Sequence, residues 1–179
     1  MALTFRLDPS VGPELRDGVT GLWADVSNAG GSVGFVPPVD VEDVRPEWRK
    51  HLTAMADGRI RLLVGFDDNG DGAVAATAFF GFNTHRLMRH WVWLYTVMVH
   101  PRHQGKGYGR QLLAAAEEAA AGFEGIDAIR LTCRGGEGLE RFYGFCGYKE
   151  VGRVPGAIRV APGDDRDDIT MLLTLASTG

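Results

Sequence analysis

The stretch that most constrains the fold is a strand that runs through a glycine-rich turn into a helix. Trp91–Val99 is almost entirely β-branched or aromatic, which is typical of a buried strand, and Pro101 ends it because proline lacks a ladder N–H. Three glycines follow, Gly105, Gly107 and Gly109. Glycine adopts positive φ readily and lets a ligand approach the backbone. The free N–H groups at the start of the next helix, together with its dipole, predict a site for a phosphate or pyrophosphate.

Basic residues around the turn strengthen this prediction. Arg102, Lys106 and Arg110 place positive charge beside the helix start. Two common phosphate motifs do not fit. The P-loop pattern requires Lys and then Ser or Thr after its second glycine, but Gly107 is followed by Tyr108. The dinucleotide pattern requires a third glycine at the position of Arg110.

Length and composition predict one domain, residues 1–179, with a full core, because the 179-residue chain is 45% hydrophobic. The formal charge of −4 predicts no attraction to nucleic acid or to an anionic membrane. No apolar run reaches spanning length, and Met1–Phe5 lacks the pattern of a signal peptide, so we expect a cytoplasmic protein. Cys133 and Cys146 have neither disulfide-framework nor metal-site spacing, so no metal is expected.

Hydrophobic periodicity predicts the order β-α-α-β-β-β-α-β-α-β-β, which indicates a mixed α+β sheet. The expected strands are Leu3–Asp8, Arg59–Phe66, Ala73–Phe82, Trp91–Val99, Ala128–Cys133, Tyr148–Val154 and Asp168–Leu175. The expected helices are Pro13–Asn28, one from Asp40 or Glu42 to Asp57, one from the glycine turn to Gly122, and one from Gly138 or Leu139 to Cys146. The helix after the glycine turn carries an apolar stripe, Leu112, Leu113, Ala116, Ala120 and Phe123.

Two acidic segments are expected to be turns. Asp67–Gly72 predicts a hairpin turn, and it is no calcium loop because the twelfth position is Ala78 instead of glutamate. Ala161–Asp168 is acidic and contains glycine, so we expect a loop. Its aspartates are either solvated or attract a cationic amine; they are Asp164, Asp165, Asp167 and Asp168.

Two motifs resemble those of a known family. Gln104–Gly109 fits Gln/Arg-x-x-Gly-x-Gly/Ala and resembles the acyl-CoA pyrophosphate loop of the GNAT superfamily of N-acyltransferases. Leu139–Tyr148 resembles the Phe-Tyr-x-x-x-Gly-Phe/Tyr segment after the fifth strand of those enzymes. Gly30–Phe35 and Val151–Gly156 look like segments of the tabtoxin-resistance group of acetyltransferases, the closest resemblance. The resemblance implies the GNAT fold, a three-layer α+β arrangement in which about four helices flank a mixed, mostly antiparallel sheet of about seven strands.

The resemblance also implies how acetyl-CoA is bound as cosubstrate. The strand at Val97–Val99 would part from its neighbour and bind the pantetheine amides through its main chain, while amides of the glycine turn hold the pyrophosphate. Tyr143 would protonate the departing thiolate, or alternatively only pack its helix on the sheet. A backbone N–H near Met98 or Val99 would polarise the acetyl carbonyl. The implied CoA-binding residues are Val97, Met98, Val99, Arg102, Gln104, Gly105, Lys106, Gly107, Tyr108, Gly109, Arg110 and Tyr143.

The general base departs from the family pattern. An amine with a pKa near ~10 must lose a proton before it attacks a thioester. Many relatives place an acid on the central or the fifth strand, but those positions here are Trp93 and Thr132. His100 is a candidate base, with a capping role at the strand end as its alternative. Other candidates are Tyr95 or His90 acting through water, Glu137 and Glu140.

The acceptor side is expected to be aromatic. Trp91, Trp93 and Tyr95 share one face of the strand, where they either fill the core or line a pocket; we expect Trp91 in the core and Trp93 in the wall. Asn28–Pro38 has helix breakers at both ends and an apolar middle, so it is either a substrate lid or a packed turn. The candidate substrate residues are Ser32, Val33, Phe35, Trp93, Tyr95 and Thr132.

Trp23 and Cys133 each have a structural and a functional interpretation. Trp23 lies on the apolar side of the first helix, and we expect it in the core. Cys133, at the end of the expected fifth strand, lies near the acyl site and suggests a covalent acyl-enzyme. No partnered histidine is evident, so we expect a small buried thiol.

These observations predict an acetyl-CoA-dependent N-acetyltransferase that acts on a primary amine of a small molecule by direct attack in a ternary complex. An antibiotic or toxin is a plausible acceptor from the closest resemblance, and a monomer or a homodimer is expected. One alternative is a peptide or protein amine. Another is a non-catalytic acyl-CoA sensor, which Trp93 and Thr132 favour and Tyr143 opposes.

Overall fold

The computed structural model describes residues 3–67 and 72–176, which form seven strands and four α-helices. The strands are β1 (Leu3–Leu7), β2 (Ile60–Asp67), β3 (Val74–Phe82), β4 (Trp91–Val99), β5 (Ala128–Arg134), β6 (Lys149–Ala161) and β7 (Asp164–Thr174). The helices are α1 (Pro13–Asn28), α2 (Val41–Ala56), α3 (Tyr108–Ala121) and α4 (Leu139–Phe145). Two short 3₁₀ helices are Arg86–Met88 and Pro101–His103. The predicted order of elements is confirmed.

The strands form one sheet in the order β1-β2-β3-β4-β5-β7-β6. Every neighbouring pair is antiparallel except β4 and β5, which are parallel, so the expected mixed and mostly antiparallel sheet is confirmed. The parallel pairing begins at Trp91 opposite Ala128 and extends only to Trp93 opposite Arg130. Beyond that point the two central strands diverge. The turn predicted at Asp67–Gly72 lies largely outside the described residues, but β2 and β3 on either side pair as expected.

Helices cover both faces of the sheet. Helices α3 and α4 pack on one face, where the predicted stripe of α3 and Phe123 are buried. Helices α1 and α2 pack on the other face around Trp23, Val44 and Trp48. The three-layer arrangement is therefore confirmed. None of the helices within 3–67 and 72–176 is long and apolar enough to cross a membrane.

The prediction of a loop at Ala161–Asp168 is wrong. Only a tight turn separates β6 from β7, and Asp164–Asp168 belongs to β7. The physical reason is a set of charge pairs within this hairpin: Arg159 to Asp165 at 2.6 Å, Arg153 to Asp167 at 2.9 Å, and Arg166 to Asp164. Opposite charges on facing strands stabilise such a pairing, although each exposed pair contributes little. Three of the four aspartates are thus matched by arginines, which removes the reason to expect them to attract an amine.

Candidate active site

A bulge in β4 opens the centre of the sheet. Phe79 pairs with Tyr95 and Thr77 with Met98, so β4 has one more residue than β3 over this stretch. Thr96 lies in the bulge with a φ of 48°, a conformation that side chains other than glycine rarely adopt. Because β4 also leaves β5 beyond Trp93, the edges that the two strands turn toward each other are free of a ladder partner. This is the parting of strands that the resemblance implied.

The fork between β4 and β5 contains a cavity of about 190 Å³. Its walls come from β4 through Val97 and Val99 and from β5 through Leu131 and Cys133, and Tyr143 of α4 lies at the same cavity. Exposed backbone edges and apolar side chains suit the amides and methylenes of a pantetheine arm. The residues present therefore fit the acyl-CoA arm.

The glycine turn begins α3 and has the geometry of an anion site. Gly105 and Gly107 have φ values of 74° and 81°, as predicted, and Gly107 is the N-cap of α3. The first N–H groups of a helix have no partner within it, so those of Tyr108 and its successors point out of the helix start. Arg102, Lys106 and Arg110 are exposed around it, which fits a pyrophosphate.

The expectation of a positive φ at Gly109 is wrong. Gly109 lies inside α3 in helical conformation. A Cβ at this position would lie 3.0 Å from Cζ of Phe142, closer than nearly all such contacts. Gly109 is therefore required for the close approach of α3 to α4.

The segment that precedes the glycine turn is fixed by side chains. The amide of Gln104 donates to the carbonyl of Val99 at 3.2 Å. His103, which the sequence analysis did not single out, is buried with Nε2 at 3.3 Å from a carboxylate oxygen of Asp67. Burial lowers the pKa of His103, while the Asp67 carboxylate acts in the opposite direction. These contacts hold the turn against the end of β4 at Val99 and the end of β2 at Asp67.

Tyr143 is a buried phenol beside the fork cavity. Its side chain is buried in α4 and packs against Phe142 and Tyr148, with ring centroids 5.4 and 5.8 Å away. Burial raises the pKa of Tyr143, so the phenol keeps its proton at neutral pH. Burial likewise raises the pKa of Cys133 to about 11, which favours the buried thiol over an acyl-enzyme nucleophile.

His100 is engaged at both ring nitrogens. The N–H of Arg102 donates to Nδ1 at 3.2 Å, and Nε2 lies 3.1 Å from a carboxylate oxygen of Asp25 on α1. His100 thereby caps the 3₁₀ helix that follows. His100 is not among the described residues that line the fork cavity or the larger cavity beside it.

The other base candidates are also placed. Burial, with a smaller effect from Glu47, raises the pKa of Tyr95 to about 12, so this phenol stays protonated near neutral pH. Glu137 is paired with Arg134 at 2.6 Å, and His90 is exposed. Glu140 is partly buried in α4, and one of its carboxylate oxygens is buried without a hydrogen-bond partner among the described residues.

A second and larger cavity of about 810 Å³ lies beside the fork. All six candidate substrate residues line it: Ser32, Val33, Phe35, Trp93, Tyr95 and Thr132. Tyr95, Thr96 and Thr132 also line the fork cavity, so the two spaces are adjacent. Trp91 instead is buried against Trp93, with ring centroids 4.9 Å apart. The aromatic face of β4 is thus divided between core and wall.

The loop between α1 and α2 forms one side of the larger cavity and is held at both ends. Asn28 donates to the carbonyl of Val39 at 2.7 Å and accepts from its N–H at 2.9 Å. The indole N–H of Trp23 donates to the carbonyl of Val33 at 2.8 Å. Trp23 is both buried and part of the cavity wall. The loop combines the two interpretations, since it is a packed turn that also encloses the cavity.

Glu47 and His51 of α2 are among the wall residues that sequence reasoning missed. They are four residues apart and so share one face of the helix. A polar pair at this spacing is ordinary on a solvated helix face, and nothing in the sequence indicates that α2 turns this face toward β4.

The fork and the glycine turn have the shape and charge of a site for an acyl-CoA, the cosubstrate of acyltransferases. A sequence model described as "Acetyltransferase (GNAT) family" matches residues 34–148. The chain belongs to this family of acetyltransferases. Within 3–67 and 72–176 no group of His, Cys, Asp and Glu is arranged to hold a metal ion.

Solved structures share the fold over nearly the whole chain. A protein proposed to be a phosphinothricin N-acetyltransferase is 22% identical with a TM-score of 0.74, and the match covers 98% of this chain and 100% of that one. YncA of Salmonella typhimurium, a proposed acetyltransferase solved with acetyl-CoA, is 22% identical with a TM-score of 0.74 and coverages of 100% and 97%. Spermidine N-acetyltransferase of Vibrio cholerae, solved with CoA and spermine, is 18% identical with a TM-score of 0.72 and coverages of 97% and 95%.

Proposed function

We propose that this acetyltransferase transfers an acetyl group to the primary amine of a small molecule, by direct attack of the amine within a ternary complex. The observation that carries the proposal is the adjacency of the two cavities. One lies in the fork where the acyl-CoA arm fits, and the other is a larger space that shares Tyr95 and Thr132 with it. An amine in the larger cavity can therefore reach a thioester in the fork without an acyl-enzyme.

Acetyl-CoA supplies the acyl group as a thioester. The chain contributes three functions around it. The free edge of β4 near Met98 offers a backbone N–H to polarise the acetyl carbonyl. Tyr143, which keeps its proton at neutral pH, donates that proton to the departing thiolate. The N–H groups at the start of α3, with Lys106 and Arg110 beside them, hold the pyrophosphate.

The size and enclosure of the larger cavity support a small acceptor over a peptide. Its volume of about 810 Å³ falls in the range of small-molecule sites, which is roughly 300–1,000 Å³. The loop tethered by Asn28 and Trp23 closes one side. An antibiotic or toxin amine remains within the proposal, because one structural neighbour is named for phosphinothricin.

Thiol release from acetyl-CoA, followed with a disulfide reagent, tests the proposal. The panel includes phosphinothricin, spermidine, arylalkylamines and a peptide with a free N-terminus. We expect turnover with at least one small amine and none with the peptide. Turnover of the peptide alone would overturn the small-molecule acceptor.

A non-catalytic acyl-CoA sensor is the second candidate, because the positions where relatives carry an acid are Trp93 and Thr132. The variant Tyr143→Phe separates the two. For an enzyme we expect kcat to fall about 100-fold while the Kd for CoA is unchanged, since only the proton is removed. A sensor would show thermal stabilisation by acetyl-CoA, no thiol release and no effect of the substitution.

A further inference from the structure

His51 lines the larger cavity and carries a buried, unpaired ring nitrogen. The residue is 8% exposed. Its Nδ1 lies 2.9 Å from the carbonyl oxygen of Glu47. A carbonyl only accepts hydrogen bonds, so Nδ1 carries the hydrogen and the Nε2 of the neutral ring carries a lone pair. Nε2 is buried and has no hydrogen-bond partner in the part of the chain that the structure describes.

The ring of His51 is held by aromatic neighbours. Its centroid lies 4.5 Å from that of Phe79, 5.3 Å from that of Trp23 and 5.8 Å from that of Tyr95. Tyr95 and Trp23 line the same cavity. An acceptor atom without a partner is unfavourable in such surroundings, so a ligand that donates a hydrogen bond to Nε2 is stabilised there.

Few charged groups face this histidine. A carboxylate oxygen of Glu47 lies 3.7 Å from Nδ1, and the other oxygen accepts from Lys50 at 3.0 Å. Tyr95 faces it from β4 as a protonated phenol. Arg59 lines the same cavity but is paired with Asp57 at 2.9 Å. Glu47 is thus the one carboxylate among these groups that lies near the His51 ring.

We propose that His51 is the general base, and that the acceptor is a primary amine carried on an apolar body. The inference rests on the proposed function. The ammonium group donates to Nε2, and its proton moves there, which leaves the amine a free electron pair and the imidazole a positive charge. The amine nitrogen then bonds to the thioester carbon, and the carbon–sulfur bond breaks. The thiolate takes the Tyr143 proton, and the amide nitrogen releases its surplus proton to restore Tyr143. His51 gives up its own proton after the acetylated product leaves the cavity and water enters it.

The apolar body follows from the walls beside His51. Trp23, Phe35, Trp93 and Tyr95 offer aromatic faces to the cavity. An aromatic or aliphatic group packs on such faces, and an ammonium group is attracted to them before it reaches Nε2. A polycation or an amino-acid carboxylate finds less complementary charge on the same walls.

The test uses His51→Asn in the full chain with two nearly isosteric acceptors. Asparagine can still donate to the Glu47 carbonyl but has no base at the position of Nε2. 2-Phenylethylamine is protonated at pH 7, whereas the amino group of O-benzylhydroxylamine is uncharged. We expect kcat/KM to fall about 100-fold or more for 2-phenylethylamine and less than about threefold for O-benzylhydroxylamine. At pH 10 the loss for 2-phenylethylamine shrinks, because its free base is then abundant. The matched control is His85→Asn, an exposed histidine outside both cavities, which we expect to leave both rates unchanged.

Each other outcome contradicts a defined part of the proposal. Equal losses with both amines indicate a structural role for His51 and overturn the base. Turnover of phosphinothricin or spermidine but not of 2-phenylethylamine overturns the apolar acceptor. If no amine releases thiol although acetyl-CoA raises Tm, the proposed function fails, and the inference fails with it. Should His51→Asn not fold, ¹⁵N NMR of the histidine-labelled wild-type protein decides. We expect the Nδ1–H tautomer and an Nε2 shift on addition of 2-phenylethylamine with CoA, and an Nε2–H tautomer overturns the base.

Discussion

Trp93 and Arg130 form the last parallel pair between β4 and β5, and the guanidinium carbon of Arg130 lies 5.1 Å from the centroid of a Trp93 ring. The same guanidinium lies 4.4 Å from Trp91. One arginine of β5 thus covers two tryptophans of β4 at the point where the strands begin to part. The start of the fork is fixed by a cation resting on aromatic rings.

Replacing Arg130 with alanine removes this contact. We expect Arg130→Ala to lower the free energy of unfolding by about 1 kcal/mol, because the cation–π contact is lost on a partly exposed surface. Urea denaturation followed by tryptophan fluorescence measures the change. Arg89→Ala, at an exposed arginine in the turn before β4, serves as the control and is expected to change stability by less than about 0.5 kcal/mol. Equal effects of the two substitutions would contradict the role of the cation.

A second prediction concerns the close approach of α3 to α4 at Gly109. The Cβ of Gly109→Ala would meet the ring of Phe142, so we expect a loss of about 1 kcal/mol in stability and weaker CoA binding. The double variant Gly109→Ala with Phe142→Leu should recover most of that loss, since leucine leaves room for the methyl group. Additive losses in this cycle would show that the ring is not the obstacle.

Cys133 predicts a dependence of stability on pH. In the unfolded chain the thiol of Cys133 has a pKa of about 8.5 and ionises first. In the folded chain burial raises its pKa to about 11, so the thiol stays neutral to higher pH. The contribution is therefore fully present below pH ~8.5 and is lost as pH rises toward 11. Between pH 8 and 10.5 we expect wild type to lose about 1 to 2 kcal/mol more than Cys133→Ala, as measured by urea denaturation at each pH. If wild type and Cys133→Ala lost the same stability over this pH range, the ionising group would not be Cys133.

The tether at Asn28 predicts a kinetic effect on the acceptor. Asn28→Ala removes both hydrogen bonds to Val39, at a cost of about 1 kcal/mol in stability, and loosens the loop that encloses the larger cavity. We expect the KM for the acceptor amine to rise about tenfold with the KM for acetyl-CoA unchanged. Asn28→Asp keeps the acceptor for the Val39 N–H but sets a carboxylate oxygen against the Val39 carbonyl, so it should show a rise at least as large. If only the KM for acetyl-CoA changed, the role of Asn28 in enclosing the acceptor cavity would be contradicted.

The order of elements was predictable because strand and helix periods mark the buried faces. The period of two along β4 placed Trp93 and Tyr95 on one face, whereas Ser32–Phe35 was chosen for the apolar middle of its loop and the CoA residues were named from the family resemblance. The remainder depends on contacts between distant segments. The aspartates of β7 were mistaken for a loop because the arginines that match most of them lie mainly on β6. His51 was missed because only the packing of α2 against β4 distinguishes it from a solvated helix residue.

The short parallel pairing of β4 with β5 has a consequence for the free enzyme. Three residues of ladder, Trp91–Trp93 against Ala128–Arg130, join a half-sheet of four strands to a half-sheet of three. Under the proposed function, a pantetheine arm in the fork would stand where the ladder is missing and would join the halves through both free edges. Acetyl-CoA would then stabilise the sheet in addition to supplying the acyl group. We expect the amide hydrogens of β4 and β5 beyond the fork to exchange with solvent much more slowly once acetyl-CoA is bound. The two half-sheets would then be bridged along their full length only in the complex with acetyl-CoA.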